Sequence, residues 1–157
     1  MASKSEEKSS ADPNSSILER FRSVTSDEVY FKILPTIGGV SYQLFSCNIM
    51  HPRSFSSLFN NQDLIVANSL WFNAHVGIGL YLYGSRHLQS ATQIQRVQYS
   101  VFGSFLFNFG SVLFWATCKS ILPRGAALRT LFGLGSGLVL LYIGKEYIDY
   151  IDKKLLK

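Results

Sequence analysis

Three polar side chains that lie far from any charge are the residues of this sequence best placed to do chemistry: Gln43, His75 and Asn108. Each lies near the middle of a long interval without Asp, Glu, Lys or Arg, and the small residues 135–137 hold the same place in a fourth interval. Polar groups in an apolar environment need hydrogen-bonding partners, so a layer that bonds across helices is the simplest interpretation. The alternative is a polar pocket for a ligand, a proton or a head group, centred on His75, whose charge can change near neutral pH.

The uncharged intervals themselves are long enough to cross a bilayer. Intervals 33–52, 64–85 and 97–118 each reach the roughly 20 residues that span about 30 Å of hydrocarbon as a helix. The fourth, 130–144, becomes long enough when residues 126–128 join it and Arg129 extends its guanidinium toward the head groups. A soluble helical domain with unusually apolar helices is the alternative. We therefore predict an all-α, integral membrane four-helix bundle with short loops and an amphipathic N-terminal segment, with spans at about 33–50, 64–85, 97–118 and 126–147.

The ends of the chain differ in composition from the apolar middle. Residues 1–16 are rich in Ser with mixed charges, which predicts a disordered tail without the pattern of a signal or transit peptide. Residues 17–25 carry apolar side chains at helical spacing and predict an amphipathic interfacial segment, before a transmembrane domain at 26–157 with a charged helical C-terminal tail. Thr25 and Glu28 form a capping-box pattern where that domain begins, and Pro35 is expected to kink or interrupt the first helix.

The basic residues predict the orientation. Four spans would place both termini and the loop after residue 85 on one side, and basic residues concentrate on the inner side of membrane proteins. That side would hold Arg20, Arg22, Lys32, Arg86, Arg96, Lys145, Lys153, Lys154 and Lys157, against Arg53, Lys119, Arg124 and Arg129 opposite. Both termini are therefore expected inside, in the endoplasmic reticulum membrane or, alternatively, the mitochondrial inner membrane. The same basic residues are too dispersed for a nucleic-acid site.

Small residues predict two helix-packing faces. Gly133 and Gly137 form a G-x-x-x-G pattern on the fourth span, which lets two backbones approach closely. The third span carries a small and polar stripe at helical spacing, formed by Ser104, Asn108 and Ser111 with Gly103 and Gly110 beside it.

No catalytic motif, cofactor site or metal site is predicted. Cys47 and Cys118 end two spans on the same side with His51 nearby, and small buried thiols are a commoner use of such residues than a disulfide or a metal site. Three classes of function remain: a non-enzymatic adaptor, assembly factor or accessory subunit of a membrane complex; a channel or transporter using the polar layer; and a lipid-modifying enzyme, for which His51 and His87 lack a carboxylate nearby in sequence. We favour the first, with the lipid bilayer and other membrane proteins as partners and a homo-oligomer as a further possibility.

Overall fold

The computed structural model describes residues 25–59 and 62–155, which are all-α and contain no strand. A helical turn at Ser26–Glu28 and a π-helical turn at Val29–Ile33 lead into α1, Leu34–Met50. The remaining helices are α2, Pro52–Phe59; α3, Asp63–Gly84; α4, Gln93–Ile121; and α5, Ala126–Leu155, with a 3-10 turn at Arg86–Leu88 between α3 and α4. The predicted tail 1–16 and residues 17–24 of the predicted amphipathic segment lie outside the described residues.

The start of the first helix differs from its prediction in two details. A helix does begin at Ser26, but the Thr25 side chain makes no cap bond. The Glu28 carboxylate instead accepts a hydrogen bond from Lys32 Nζ at 2.9 Å, so the expected capping box is wrong. Pro35 does not interrupt the helix, because it lies in the first turn of α1 and the wider π turn before it accommodates the missing N–H donor.

Helix α1 lies at the centre of the packing, against α3 on one side and α5 on the other, while α4 packs mainly on α3. Gly38 of α1 meets Gly77 of α3 so closely that a Cβ on either residue would overlap the backbone of the other helix. Helices α4 and α5 meet near the turn that joins them, where Phe114 and Phe132 stack with ring centroids 6.1 Å apart. Toward their other ends an apolar crevice of about 420 Å³ opens between them.

Two basic side chains close the end of the bundle at the α4–α5 turn. The Arg129 guanidinium donates hydrogen bonds to the carbonyl oxygens of Lys119, Leu122 and Pro123, at 2.8, 2.9 and 3.0 Å. Lys119 Nζ donates to the carbonyl oxygen of Ile49 at the end of α1, at 2.8 Å. Arg129 therefore does not extend toward head groups as expected, because the unpaired carbonyls at the C-terminus of α4 attract a cation more directly.

Helix α4 buries polar side chains and exposes apolar ones. Its buried residues are Ser100, Ser104, Asn108, Ser111 and Trp115, so the three polar residues of the predicted stripe lie on the buried side of the helix. Its exposed residues include Val101, Phe102, Phe105, Leu106, Phe109 and Leu113.

Two of the described helices are long and apolar enough to cross a membrane: α4 has 29 residues and α5 has 30, and an 18-residue stretch of each has a mean hydropathy of 1.5 and 1.6, respectively. Their length and composition favour membrane association. Helix α1 is shorter, at 17 residues, and the hydropathy of α3 is lowered by Asn68, Asn73 and His75.

Candidate functional site

His75 of α3 lies in an aromatic cage on the side of the bundle that faces α4. Its ring centroid is 4.2 Å from that of Trp71, 4.8 Å from that of Phe105 and 5.8 Å from that of Phe109, and the residue is 8% exposed. Nδ1 lies 2.8 Å from the carbonyl oxygen of Trp71. Because that oxygen can only accept, Nδ1 is the donor in this contact. Nε2 is buried and has no partner among the described residues.

Asn108 is held within its own helix and reaches α3 through Ser104. Its Nδ2 donates to the carbonyl oxygen of Ser104 at 2.8 Å, and Ser104 Oγ donates to the carbonyl oxygen of His75 at 2.6 Å. The hydrogen bond between α3 and α4 at this level is therefore made by the backbone carbonyl of His75, while its ring contacts Phe105 and Phe109 of α4.

Gln43 of α1 faces α5 instead. A Cβ added at Gly137 would lie 2.7 Å from Gln43 Oε1, so the amide rests directly on that glycine. Both Gln43 Oε1 and Nε2 are buried without a hydrogen-bonding partner among the described residues. A Cβ at Gly133 would lie 3.0 Å from Met50 Cγ, so both glycines of the G-x-x-x-G pattern contact α1.

The two glycines predicted on α4 differ in their surroundings. A Cβ at Gly103 would lie 2.8 Å from Leu82 Cδ1 of α3, so this glycine does lie in a helix contact. Gly110 is exposed, and a Cβ there would have no atom within 4 Å. Contrary to the prediction, it therefore lies outside the packing face. The reason is its angular position, since α4 turns its buried stripe of Asn108 and Ser111 away from it.

The centre of the bundle between these polar groups is filled by aromatic side chains. Tyr42 is 1% exposed and Trp115 is fully buried, with ring centroids 5.0 Å apart. The Tyr42 hydroxyl donates to Ser111 Oγ at 2.7 Å, and Trp115 Nε1 donates to Ser136 Oγ at 3.0 Å. These bonds join α1 to α4 and α4 to α5. The predicted polar layer is thus distributed over separate helix contacts, with no hydrogen bond between the side chains of Gln43, His75 and Asn108.

A groove of about 510 Å³ runs along the outer side of the α3–α4 contact, next to the His75 ring. Val76, Leu80 and Val97 contribute apolar walls to it. Tyr83 lies at the end nearest the loop between α3 and α4, beneath Arg96, whose guanidinium is 4.0 Å from the ring centroid. The groove opens sideways, between two helices, and not along the bundle axis.

His87 has the carboxylate partner that its sequence neighbourhood lacks. Asp152, near the end of α5, accepts from His87 Nδ1 at 2.7 Å and from the backbone N–H groups of Arg86 and His87 at 3.0 and 2.8 Å. Burial raises the pKa of the Asp152 carboxyl, and these donors more than offset it, leaving the pKa below its ordinary value. Asp152 therefore caps the 3-10 turn and ties the end of α5 to the loop after α3.

The remaining candidates do not combine into a reactive site in the described part of the chain. His51 Nδ1 accepts from the N–H of Ser54 at 3.2 Å and so caps α2, and the thiols of Cys47 and Cys118 are free. Within residues 25–59 and 62–155, no three or more His, Cys, Asp or Glu residues form a group that could hold a metal ion.

Asp152 and Asn73 are two residues that the sequence prediction missed. Asp152 is separated from His87 by the length of two helices, so no local pattern reveals it. Asn73 is exposed on α3, although it lies only two residues from His75. An amide in a predicted span was a signal that could have identified it.

Comparison with known protein families, with curated protein sequences and with solved structures finds no match to this chain.

Proposed function

We propose that this protein is a four-span membrane bundle with both termini on the inner side, and that it acts as a non-enzymatic adaptor, assembly factor or accessory subunit of a membrane complex. The observation that carries the proposal is a centre filled by Tyr42 and Trp115 beneath an outer surface of large apolar side chains. The filled centre is the argument for the function, and the apolar outer surface is the argument for the membrane.

The distribution of polarity supports a lipid environment for all four long helices. Three large apolar side chains are each at least 65% exposed: Phe102, Leu106 and Leu113. In water this exposure is unfavourable, because burying one such side chain would stabilise the fold by about 1.5–3 kcal/mol. In lipid, exposed apolar side chains carry no such free-energy cost. Contacts between helices are then made by small polar residues such as Ser104 and Ser111. A soluble domain distributes these residue types in the opposite way.

The basic residues support inner termini. Two of the four on the opposite side, Lys119 and Arg129, bind helix C-terminal carbonyls and are explained by local structure. Burial also lowers the pKa of the Lys119 amine, and the charge of Arg129 adds to this effect. Arg86, Lys153 and Lys154 lie at the other end of the bundle, as the positive-inside rule requires of the inner side.

The filled centre favours an adaptor over a channel. A passage along the axis would need polar side chains around a continuous opening. Tyr42, Trp115 and Met50 occupy that position, each at most 1% exposed. The cavities open sideways instead, between α3 and α4 and between α4 and α5, where a lipid chain or a neighbouring helix can enter. Such openings suit a protein that binds other membrane components.

Proximity labelling from a C-terminal tag in intact cells, combined with protease protection of the same tag, tests the proposal. Recovery of the subunits of one membrane complex, with the tag on the inner side, would support it and would distinguish the endoplasmic reticulum from the mitochondrial inner membrane. A diffuse set of neighbours without a stable partner would count against the adaptor, and a tag on the outer side would refute the topology.

Transport of a small solute is the alternative, and the unpartnered Nε2 of His75 is the observation that favours it. Uptake into vesicles that contain the purified protein, compared with a His75→Ala variant, tests it directly. Uptake that depends on His75 would replace the adaptor proposal, and equal background uptake by both proteins would exclude transport of the solute tested.

A further inference from the structure

The crevice between α4 and α5 is built from all four long helices. Helices α4 and α5 meet near the turn that joins them and diverge toward their other ends, where α1 and α3 form the floor of the opening. Its volume is about 420 Å³, within the range of small-molecule sites in proteins. Each helix contributes a glycine to its lining: Gly39 on α1, Gly77 on α3, Gly103 on α4 and Gly144 on α5.

The walls of the crevice are apolar and the space between them is narrow. Ile78 and Leu106 are among the side chains that line it, and on α5 the lining residues run from Leu141 to Ile148, about 10 Å of helix. A volume of about 420 Å³ over that length gives a cross-section of about 40 Å², whereas a helix with side chains is about 10–12 Å wide and needs about 80–110 Å². The crevice is therefore too narrow for a partner helix and suits extended hydrocarbon chains.

Charged and hydroxyl groups lie at one end of the crevice, toward the C-termini of α3 and α5. Lys145 and Tyr81 line it there, and the Lys145 amine and the Asp149 carboxylate both interact electrostatically with the Tyr81 hydroxyl. Lys145 Nζ lies 2.7 Å from Asp149 Oδ2, and the two side chains are 60% and 36% exposed. Accessible pairs at this spacing contribute little to stability, so each charge is free to bind a further partner.

The order of these two charges along α5 matches that of a zwitterionic phospholipid. If α5 spans the membrane, as the proposed function requires, Lys145 lies where the helix leaves the hydrocarbon, and Asp149 lies about 6 Å further out, at 1.5 Å per residue. A phospholipid carries its phosphate next to the glycerol and its ammonium group beyond the phosphate. A lipid whose chains enter the crevice therefore presents the phosphate to Lys145 and the ammonium group to Asp149.

We propose that the crevice binds one molecule of phosphatidylethanolamine from the inner leaflet, with its acyl chains between α4 and α5, its phosphate at Lys145 and its primary ammonium group at Asp149. An anionic head group would place a second negative charge beside Asp149, whereas the zwitterion meets each charge with its opposite. A primary ammonium group donates hydrogen bonds to a carboxylate, and the trimethylammonium group of a choline lipid has no N–H to donate. This inference rests on the membrane placement in the proposed function.

Native mass spectrometry of the purified full-length protein measures the dissociation constants of dioleoyl phosphatidylethanolamine, phosphatidylcholine and phosphatidylglycerol, which share the same acyl chains. We expect the ethanolamine lipid to bind about two- to fivefold more tightly than the other two, the range that accessible charge pairs give. Lys145→Gln should weaken its binding by a similar factor, and Asp149→Asn should remove its advantage over the choline lipid. Lys153→Gln is the matched control, because Lys153 is exposed on α5 outside the crevice, and it should leave the constants unchanged.

Gly39→Leu tests the part of the site that holds the acyl chains. A Cβ at Gly39 would lie 4.0 Å from Leu141 Cδ1 and would meet nothing nearer, so a leucine side chain can extend into the crevice without overlapping the protein. It should weaken the binding of all three lipids about tenfold or more, because it takes the space of their chains. Gly135→Leu is the matched control, since Gly135 is exposed on α5 outside the crevice and a Cβ there has no atom within 4 Å. Helix content by circular dichroism shows whether each variant is folded.

Equal affinity of the wild type for the three lipids, or tighter binding of the choline or glycerol lipid, would overturn the inference. So would a folded Gly39→Leu variant that binds the ethanolamine lipid as tightly as the wild type. Protease protection and labelling from the C-terminal tag separate this failure from a failure of the proposed function. If the tag is on the inner side but no lipid is preferred, the membrane placement stands and the lipid site is refuted. If the ethanolamine lipid binds selectively but labelling is diffuse, the lipid site stands and the adaptor is refuted.

Discussion

The crossing of α1 and α3 offers a sharp test of the packing. A Cβ at Gly38 would overlap the Cα of Gly77 and lie 2.9 Å from the carbonyl oxygen of Asn73. Ordinary contacts between such atoms are about 3.5–4.0 Å, so Gly38→Ala must move the two backbones apart by about 1 Å. Neither obstacle is a flexible side chain that can turn away. Overpacking of this kind costs about 1–3 kcal/mol, partly offset by the higher helix propensity of Ala.

Gly110→Ala is the matched control for this prediction, since a Cβ there has no atom within 4 Å. It gains the same helix propensity, up to about 1 kcal/mol, without the overlap. The two variants should therefore differ by about 1–3 kcal/mol in the free energy of unfolding, with Gly38→Ala the less stable. Unfolding in detergent, followed by the fraction of monodisperse protein after heating, measures the difference. Equal stability of the two variants would refute the close crossing of α1 and α3.

Three further predictions follow from individual side chains. Gln43→Met should stabilise the bundle by about 1–3 kcal/mol in the same assay, because it removes a buried amide without partners; a loss of stability would mean that the amide is satisfied. Arg129→Gln should destabilise it by about 1–3 kcal/mol, whereas the exposed Arg124→Gln should not. The contact of Asp152 with Arg86 and His87 should persist at neutral pH and open only in acid. Folding lowers the pKa of the Asp152 carboxyl, so the contribution of this carboxylate to stability is complete above its unfolded pKa of about 4 and is lost as the pH falls through the folded value. The protection of the His87 amide, which is its intrinsic exchange rate divided by the observed rate, should then fall at low pH. At neutral pH it should fall about tenfold or more in Asp152→Asn, and unchanged protection in that variant would contradict the contact between Asp152 and the loop after α3.

Periodicity and charge predict much of the helical architecture. The uncharged intervals each coincide with one long helix, since an apolar run of this length has few alternatives to helical structure. The spacing of Ser104, Asn108 and Ser111 predicts one buried face of α4, because residues three and four apart lie on the same side of a helix.

The partners of those faces were not predictable in the same way. Gln43, His75 and Asn108 occupy similar depths, but α1 turns Gln43 toward α5 while α3 turns His75 toward α4. Depth follows from counting residues along a helix, whereas direction depends on how each helix is rotated against its neighbours. Gly110 shows the same limit, since its place beside a packing stripe gave no information about which side of the stripe faces out.

The sequence alone predicted the four long helices and their order, because these depend on residue types at short spacing, whereas the short helix α2 was predicted as a loop. Tertiary structure decided the contacts between distant positions. It joined Asp152 to His87, placed Tyr42 beside Trp115 in the centre, and left Asn73 exposed. Such contacts depend on the rotation and crossing of whole helices, which small residues such as Gly38 and Gly77 fix only once the helices have met.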